Sequence, residues 1–501
     1  MEEGRKMASF EVEETTIADV HEAYRSGRFT CVDVTTAYLD RIETLNPKVN
    51  AYVTIVDREK VLKHAAELDE NFARTGEFTG PLHGIPYAIK DQAETAGIPT
   101  SFGSKALEGY VPSKDATIVT KLRESGAILL GKLTMPDFAA SWWGYGSVHG
   151  ITRSPYDLER DSGGSSGGTG SAVAANLCCI GIGEDTGGSI RLPSSINNLC
   201  GLRVTPGMIS RNGLSPLLVP LDTAGPMTRT IKDLATVLDV LVGYDPLDPY
   251  TAINKISKRK GSYTEFLEGP GAMKGARFGI IKEAFGDDGD VNCAEVNEVI
   301  RSAMKTMEEN GAEFVVELSI PDLMEWLEKT SLYFYRSKSD VNKFLKSRAS
   351  QLRYSTINSI YESGQYDHNL DLIAIMANDS PDEPEDNPDY YPSTAKVTEF
   401  QRLLMGFMAE HDLDGICHPA LRILPPTHEE AVAWEALKYP TNTVIASQSL
   451  IPSICVPAGF TKADGLPVGM EIIAPPYHEG ELIRLGHAFE QITQWRKKPD
   501  L

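Results

Sequence analysis

The chain has 501 residues, of which 41% are apolar and 24% charged, as in ordinary globular proteins and unlike disordered or fibrous ones. Its 70 acidic and 48 basic residues give a formal charge of −22, which repels nucleic-acid phosphates and anionic lipid headgroups. The densest basic run, residues 255–260, is short and is predicted to be a solvated loop. We therefore expect neither a nucleic-acid partner nor a membrane partner.

The cysteines and the N-terminal segment bear on the compartment. The seven cysteines are scattered without a CxxC pair, so neither a disulfide framework nor a zinc site is expected. Residues 1–15 lack the apolar segment of a signal peptide, and no run of apolar residues is long enough to span a bilayer. These features predict a cytoplasmic protein.

The first half of the chain changes from a helical pattern to an alternating one. Apolar residues at helical spacing predict helix over 15–45. From about residue 80, short β-branched runs alternate with glycine-rich turns and helical patterns. Strands are predicted within 84–91, 126–132 and 178–189, and a helix over 116–125.

The second half repeats this alternation around a helical middle. Strands are predicted at 277–281 and 313–318, with a helix around 296–311 between them. Residues 321–376 are predicted to be mostly helical, and the acidic, proline-rich segment 379–392 to be a loop. The strand pattern returns at 414–417, 454–457 and 469–473, before a closing helix over 479–494.

This order of elements predicts an α/β fold. Strands that alternate with helices favour a central mixed, twisted β-sheet covered by helices on both faces. The strand pattern recurs on both sides of the helical middle, so we predict a single domain over 1–501 with a helical excursion. Its core motifs lie at 80–240 and 410–495, and its variable, mostly helical part at about 245–405.

Two glycine-flanked serine clusters, DSGGSSGG and EDTGGSIRLP, lie within residues 161–193. In the second cluster, successive backbone N–H groups before Ser189 can converge on one point, as an oxyanion hole requires. A phosphate-binding loop, a dinucleotide fingerprint and a lipase-type elbow each need a glycine pattern that this segment lacks. Tight turns that carry surface serines are the alternative interpretation.

A serine nucleophile needs a base near neutral pH, yet no histidine lies in this segment. A lysine that burial keeps neutral can take that role. Lys90 is the candidate, because it follows the apolar run from Gly84 at the C-terminal edge of a predicted strand. A solvated lysine at a strand edge is the alternative.

Three motifs make the sequence resemble the amidase signature family. A GGSSGG loop stands at 163–168, a D-x-GGS-I-R-x-P loop at 185–193, and the lysine motif G-[IV]-P-x-x-[IV]-K-D at 84–91. The motif lysine and the two serines are separated by 75 and then 24 residues, as in the family. Weaker similarity covers most of the chain, whereas the part from about 245 to 400 matches poorly.

The resemblance implies a catalytic triad and no cofactor or metal. Ser189 would attack the carbonyl carbon, Ser165, held by a cis peptide bond, would relay the proton, and neutral Lys90 would be the base. The same relay would protonate the leaving nitrogen. The oxyanion would be held by the backbone N–H groups of Thr186, Gly187, Gly188 and Ser189.

Further residues are predicted to support the site or to line it. Ser166, Asp185 and Arg191 are interpreted as supports of the two loops, with a plain Asp185–Arg191 salt bridge as the alternative. The aromatic run with Phe138, Trp142 and Trp143 falls where the family places substrate-facing residues. It is a candidate substrate pocket, with core packing as the alternative.

The resemblance implies a stand-alone hydrolase that converts small aliphatic or aryl amides to an acid and ammonia or an amine. Carbamate or ester hydrolysis by the same triad is the alternative. A non-catalytic homologue is disfavoured, because each triad position holds the required residue type. A homodimer is frequent in the family and is compatible with this sequence.

Amidotransferase subunits that deliver ammonia from glutamine are similar to this chain in the core. They carry glutamine in a G-[LM]-Q motif where this chain has Glu471, and glycine where it has Leu450. These differences and the negative charge argue against a role in tRNA-linked ammonia transfer.

Overall fold

The computed structural model describes residues 9–257, 261–435 and 438–501, so residues 258–260 of the predicted solvated loop lie outside the described residues. In chain order, its strands are β1 (Tyr52–Ile55), β2 (Pro86–Lys90), β3 (Ile128–Leu133), β4 (Tyr145–Gly146), β5 (Gly150–Ile151), β6 (Arg153–Ser154), β7 (Asp157–Asp161), β8 (Ile180–Asp185), β9 (Cys200–Arg203), β10 (Thr223–Thr228), β11 (Arg277–Ile281), β12 (Glu313–Leu318), β13 (Gly415–Pro419), β14 (Ser453–Phe460) and β15 (Pro467–Ile473).

The helices alternate with the strands and are concentrated in the middle of the chain. They are α1 (Ile17–Arg25), α2 (Cys31–Val49), α3 (Arg58–Thr75), α4 (Thr117–Glu124), α5 (Gly167–Ala174), α6 (Arg191–Ile196), α7 (Ile231–Leu241), α8 (Ala252–Ile256), α9 (Val291–Glu309), α10 (Leu323–Thr330), α11 (Tyr333–Lys346), α12 (Ile357–Ser363), α13 (Asp371–Asn378), α14 (Tyr390–His411), α15 (His428–Val432), α16 (Val444–Gln448) and α17 (Glu479–Thr493). None of the helices in the described ranges is both long enough and apolar enough to cross a bilayer.

Eleven of these strands form one sheet in the order β1-β3-β2-β8-β10-β9-β14-β15-β13-β11-β12. Strand β2 runs parallel to β3 and β8, and β11 runs parallel to β12 and β13. The other neighbours are antiparallel. The sheet is therefore mixed, and helices flank both of its faces, which confirms the predicted fold class.

One edge of this sheet gathers the groups of the site. Parallel strands β2 and β8 are direct neighbours, with Ile89 opposite Ile182, so their carboxyl ends lie at the same edge. Strand β10 runs antiparallel to β8 and begins there, with Thr223 opposite Asp185. The sheet order thus brings Lys90, at the end of β2, close to the ends of two strands that follow it much later in the chain.

The predicted elements are present in the structure with shifted ends, but several further elements, among them β4–β7, α3 and α7, were not predicted. The predicted helix over 15–45 is two helices, because Thr30 caps the start of α2 through a capping box with Asp33. Helix α14 begins inside the predicted loop 379–392. Strands β1, β9 and β10 of the main sheet were not predicted either. For β10 the reason is that glycine and proline, here Gly225 and Pro226, are unusual in the interior of a strand.

The helical middle packs over the edge that carries the site. A buried apolar cluster joins Tyr333 of α11 and Leu372 of α13 to Trp142 and to Leu217. These residues come from segments far apart in the chain. The excursion therefore covers the catalytic edge of the sheet.

Helix α17 carries a half-buried acid, Glu490, at its C-terminal part. One carboxyl oxygen of Glu490 accepts a hydrogen bond of 2.9 Å from the backbone N–H of Ile231, the first residue of α7. Burial raises the pKa of Glu490 from 4.5 to about 7. Glu490 is therefore un-ionised in the folded protein over a range in which an exposed glutamate is charged.

We expect the free energy of unfolding to fall as the pH rises from 4.5 through about 7, because the unfolded chain then releases the Glu490 proton that the folded chain retains. Glu490→Gln removes this contribution and keeps an acceptor for Ile231. Urea unfolding of the two proteins should give similar stabilities at low pH, with the variant more stable by on the order of 3 kcal/mol at pH 8. The prediction would be contradicted if the free energies of unfolding of the unmodified protein and of Glu490→Gln changed with pH in the same way.

Candidate active site

Lys90 and Ser165 are in direct contact at the end of β2. The Lys90 side chain is buried, and its Nζ lies 2.8 Å from Ser165 Oγ. The same nitrogen lies 3.1 Å from the backbone oxygen of Glu184 and 3.2 Å from Glu184 Oε2. Burial lowers the pKa of Lys90, and the neighbouring Glu184 opposes this change. The structure thus brings together two of the three predicted triad residues.

The first serine loop crosses from β7 to α5. The peptide bond between Gly164 and Ser165 is cis, in agreement with the resemblance. Gly164 is packed so closely on the backbone of Trp143 that a Cβ atom would lie 2.4 Å from the Trp143 carbonyl oxygen. The backbone N–H of Ser166 donates to the backbone oxygen of Ser189 at 3.1 Å, so the two serine loops are bonded to each other.

The second loop connects β8 to α6 and carries Ser189. Gly188 has a φ of +122°, and a Cβ atom at this position would lie 1.7 Å from Thr443 Oγ1. Only glycine fits this conformation and this space. Thr443 also donates to the backbone oxygen of Gly187 at 2.8 Å. The segment around Thr443 therefore fixes the path of the loop.

The predicted oxyanion hole needs one correction. The backbone N–H of Gly188 donates to Asp185 Oδ1 at 2.9 Å, and that of Ile190 donates to Asp185 Oδ2 at 3.1 Å. The N–H of Gly188 is therefore occupied and not available to an oxyanion. Within the described part of the chain, the backbone N–H groups of Thr186, Gly187 and Ser189 have no acceptor.

The buried carboxylate of Asp185 fixes the loop that carries Ser189. Arg191 binds it through Nε and Nη2, both at 3.1 Å, and Arg203 Nη1 lies 2.9 Å from its Oδ1. The two guanidinium groups hold the pKa of this buried carboxyl well below its usual range, against the effect of burial. Arg191 also contacts Glu471 Oε2 at 2.5 Å. The Asp185–Arg191 pair is thus part of a buried network that fixes the loop, and more than an isolated salt bridge.

Glu184 and Asp222, which were not predicted as site residues, form a second polar group with Thr186. Thr186 Oγ1 lies 2.6 Å from Asp222 Oδ1 and 3.2 Å from Glu184 Oε1. Burial raises the pKa of Glu184 to about 7, and Lys90 opposes the shift. Ser166 Oγ donates to the backbone oxygen of Glu184 at 3.1 Å, so this predicted support acts on the strand that carries Glu184.

A small pocket adjoins Ser189. Its lining includes Trp142, Thr186, Leu217, Tyr333 and Leu372. Trp142 also lines a larger cleft of about 520 Å³ in which it stacks on Tyr439, with ring centroids 6.2 Å apart. Of the three predicted pocket aromatics, only Trp142 therefore faces these spaces.

Phe138 and Trp143, the other two predicted pocket residues, are packed in the buried apolar cluster under the helical middle. Their side chains are almost completely buried, so the structure favours the alternative of core packing for these two residues. No signal in the sequence identified Tyr333 or Tyr439, which are brought to the site by packing alone. In the ranges that the structure describes, no group of three or more His, Cys, Asp or Glu side chains is placed to hold a metal ion.

Comparison with known proteins relates both the sequence and the fold to enzymes that act on amides. The pattern of the family described as Amidase matches residues 33–483. A glutamyl-tRNA(Gln) amidotransferase subunit from Alkaliphilus metalliredigens (strain QYMF) is 36% identical, with 96% of each chain covered.

Two solved structures share the fold. The peptide amidase of Stenotrophomonas maltophilia has a TM-score of 0.84 at 30% identity, covering 97% of this chain and 99% of that one. The corresponding glutamyl-tRNA(Gln) amidotransferase subunit from Thermotoga maritima has a TM-score of 0.75 at 25% identity, covering 98% of this chain and 97% of that one. The chain is thus similar over nearly its whole length to proteins with two different activities.

Asp185→Asn should destabilise the protein, because it leaves two buried guanidinium groups without their shared carboxylate. We expect a loss of about 3–5 kcal/mol in the free energy of unfolding, measured by urea denaturation. Asp288→Asn, which removes the carboxylate of an exposed pair with Arg301, is the matched control and should leave the midpoint unchanged. Equal effects of the two substitutions would contradict the role assigned to Asp185.

Proposed function

This chain belongs to the amidase family, and on that premise we propose that it is a hydrolase that cleaves the C–N bond of carboxylic amides. The observation that carries this proposal is the buried contact of 2.8 Å between Lys90 Nζ and Ser165 Oγ, in a loop bonded to the loop of Ser189. A lysine, a serine and a glycine-rich turn with free N–H groups are the parts that acyl transfer needs.

In the proposed acylation step, Ser189 Oγ attacks the amide carbon while its proton passes to Ser165 and the Ser165 proton passes to Lys90. The backbone N–H groups of Thr186, Gly187 and Ser189 stabilise the oxyanion that forms. Lys90 then returns the proton through Ser165 to the leaving nitrogen. This last transfer matters because an unprotonated amine is a poor leaving group.

Deacylation repeats the sequence with water as the nucleophile. Water attacks the Ser189 ester, its proton passes along Ser165 to Lys90, and the relay then reprotonates Ser189 Oγ as the acid leaves. Both half-reactions use only protein groups and water. Lys90 must be neutral at the start of each, and burial favours its neutral form.

The cleft beside the pocket supports a substrate larger than a simple aliphatic amide. It has a volume of about 520 Å³ and is lined by Trp142, Tyr439, Leu327 and Phe334. An aryl group or the apolar side chains of a peptide amide suit such a surface. The similarity to a peptide amidase supports the same choice. Carbamates and esters could be cleaved by the same triad.

A second candidate function is the release of ammonia from glutamine for a partner protein. The curated relative at 36% identity carries the name of an amidotransferase component. Against this function, the solved structure of that kind has a lower TM-score than the peptide amidase. Glu471 also stands where the amidotransferase subunits carry glutamine, and its carboxylate is bound to Arg191.

Ser189→Ala should lower amide hydrolysis by at least about 10⁴-fold, because the nucleophile is lost. The purified protein is assayed on aliphatic amides, anilides, peptide amides, carbamates and glutamine, and its labelling by a serine-directed fluorophosphonate is measured. Ser141→Ala is the control and should stay within a few-fold of the unmodified protein, because Ser141 lies in the same pocket but its hydroxyl contacts, among the described residues, only the backbone of Trp143. Substantial turnover by the Ser189 variant would refute the assignment, and glutamine hydrolysis that requires a partner would favour the second candidate.

For the unmodified protein, kcat/KM should increase with pH as Lys90 loses its proton, over a range below the ordinary lysine pKa. Lys90→Ala should lower kcat/KM by about 10²–10⁴-fold at neutral pH and abolish this increase, because the base is gone. Lys121→Ala is the control, since burial also lowers the pKa of Lys121 but its Nζ bonds to Leu241 in α7. A pH profile that Lys90→Ala leaves unchanged would exclude Lys90 as the base.

A further inference from the structure

Among the described residues, Glu184 provides two of the three polar contacts of Lys90 Nζ. Its backbone oxygen and its Oε2 lie 3.1 and 3.2 Å from Lys90 Nζ, and Ser165 Oγ, at 2.8 Å, is the third. Both side chains are almost completely buried. The nearest surroundings of the proposed base are therefore one hydroxyl and two oxygens of a single residue.

These three contacts match a neutral amine. A neutral amine has two N–H bonds and one lone pair, whereas an ammonium group has three N–H bonds and no lone pair. If the lone pair accepts the Ser165 hydroxyl, as proton transfer requires, the two N–H bonds go to the two oxygens of Glu184. Every hydrogen-bonding position of the amine is then used, and its lone pair is fixed toward Ser165.

Glu184 and Asp222 lie on either side of the Thr186 hydroxyl, and the contacts of this hydroxyl indicate which of the two carboxyl groups is protonated. The hydroxyl has a single hydrogen and stands between Asp222 Oδ1 at 2.6 Å and Glu184 Oε1 at 3.2 Å. The shorter contact is that of a hydroxyl with an ionised carboxylate. Thr186 therefore donates to Asp222, and a hydrogen bond between Thr186 and Glu184 needs a proton on Glu184.

The backbone around Asp222 supports this assignment. Burial raises the pKa of Asp222, but its two carboxylate oxygens also accept the backbone N–H groups of Leu217 and Leu218 at 3.0–3.1 Å, and these bonds favour the ionised form. Oε1 of Glu184 has Thr186 as its one hydrogen-bond partner in the described chain. The proton thus belongs on Glu184.

The charges that face Glu184 from the surrounding elements favour the same form. Lys90 of β2 favours an ionised Glu184, but Asp222 before β10 and Asp185 on β8 disfavour it, after the larger effect of burial. Arg203 of β9 is bound to Asp185, and Tyr333 of α11 is un-ionised because burial raises its pKa. In the described chain, a second anion next to Asp222 would have Lys90 as its direct cationic contact, because Arg203 and Arg211, which also act on this pair of acids, are bound to Asp185 and Asp248.

We propose that Glu184 is a positioning residue for the base: an un-ionised carboxylic acid whose carbonyl oxygen, together with the Glu184 backbone oxygen, binds both N–H bonds of neutral Lys90. This inference rests on the proposed function, because it takes Lys90 as the base. It also explains how the proton is returned. An anionic Glu184 would hold the proton on Lys90, whereas a neutral acid leaves it free to pass back through Ser165.

The protonation of Glu184 can be read directly and without turnover. Infrared difference spectra between the unmodified protein and Glu184→Gln at pH 6 should show the loss of one un-ionised carboxyl band. Glu490→Gln is the matched control, since burial raises the pKa of Glu490 to about 7 as well, and it should remove a different band and leave that of Glu184. Loss of an ionised carboxylate band in Glu184→Gln would overturn the proposal, whatever the protein hydrolyses.

Kinetics of two variants test the positioning role. Glu184→Gln reproduces the acid, with an oxygen for Lys90 and an N–H for Thr186, so kcat/KM should stay within about threefold and keep its pH profile. Glu184→Leu removes both groups and should lower kcat by roughly 10- to 100-fold with little change in KM. Thermal unfolding confirms that both variants are folded.

Two kinetic results would refute the positioning role. The first is a decrease in kcat in Glu184→Gln that is as large as the decrease in Glu184→Leu. The second is an increase in kcat/KM in Glu184→Gln together with a shift of its pH profile to lower pH. That result would mean that an ionised Glu184 had held Lys90 as an ammonium group. Failure of the proposed function is distinguishable from both, because it shows as absent turnover and absent fluorophosphonate labelling in the unmodified protein.

Discussion

The site depends on the burial of the Lys90 amine, whose polar contacts in the described chain are one hydroxyl and two oxygens of Glu184. Lys132, in the neighbouring strand β3, is equally buried, but its Nζ contacts the Asp91 carboxylate, the backbone oxygen of Ala93 and the Thr100 hydroxyl, at 2.7–3.0 Å. Burial lowers the pKa of Lys132, as it does that of Lys90, and the neighbouring Asp91 opposes this change. Lys90 Nζ instead contacts the Ser165 hydroxyl, from which it can accept a hydrogen bond, and Glu184, which we propose to be a neutral acid. Two buried lysines a strand apart thus differ through the partner that each sheet position supplies.

The alternation of side chains along β8 separates two acids that are adjacent in sequence. Successive residues of a strand point to opposite faces of the sheet. Glu184 contacts Lys90, whereas Asp185 contacts Arg191 and Arg203. Glu184 therefore faces the lysine of the proposed proton relay, and Asp185 faces an ion network that fixes a loop. A shift of one residue in the register of β8 would exchange these surroundings.

Local motifs predicted the parts of the site that lie within short segments, namely the lysine at the end of a strand and the two serine loops. They did not predict Asp222 or Tyr333, because the order of strands and the packing of the helical middle bring these residues in. Glu184 lay at the start of a motif in which Asp185 and the residues after it were given roles, but Glu184 itself was not. A prediction that β2 and β8 are parallel neighbours would have placed Glu184 beside Lys90. The fold class followed from the alternation of elements, but strand β10, with Pro226 inside it, carries no readable pattern.

The helical excursion over the catalytic edge divides the molecule into a layer that carries the chemistry and a layer that covers it. The base and the two serines stand on the sheet and its adjoining loops, while Tyr333 and Leu372 close the pocket from helices of the middle segment. Changes in α11–α13 can therefore reshape the space above Ser189 without moving the atoms that transfer protons. Such a division lets substrate range evolve, or be engineered, independently of the chemistry.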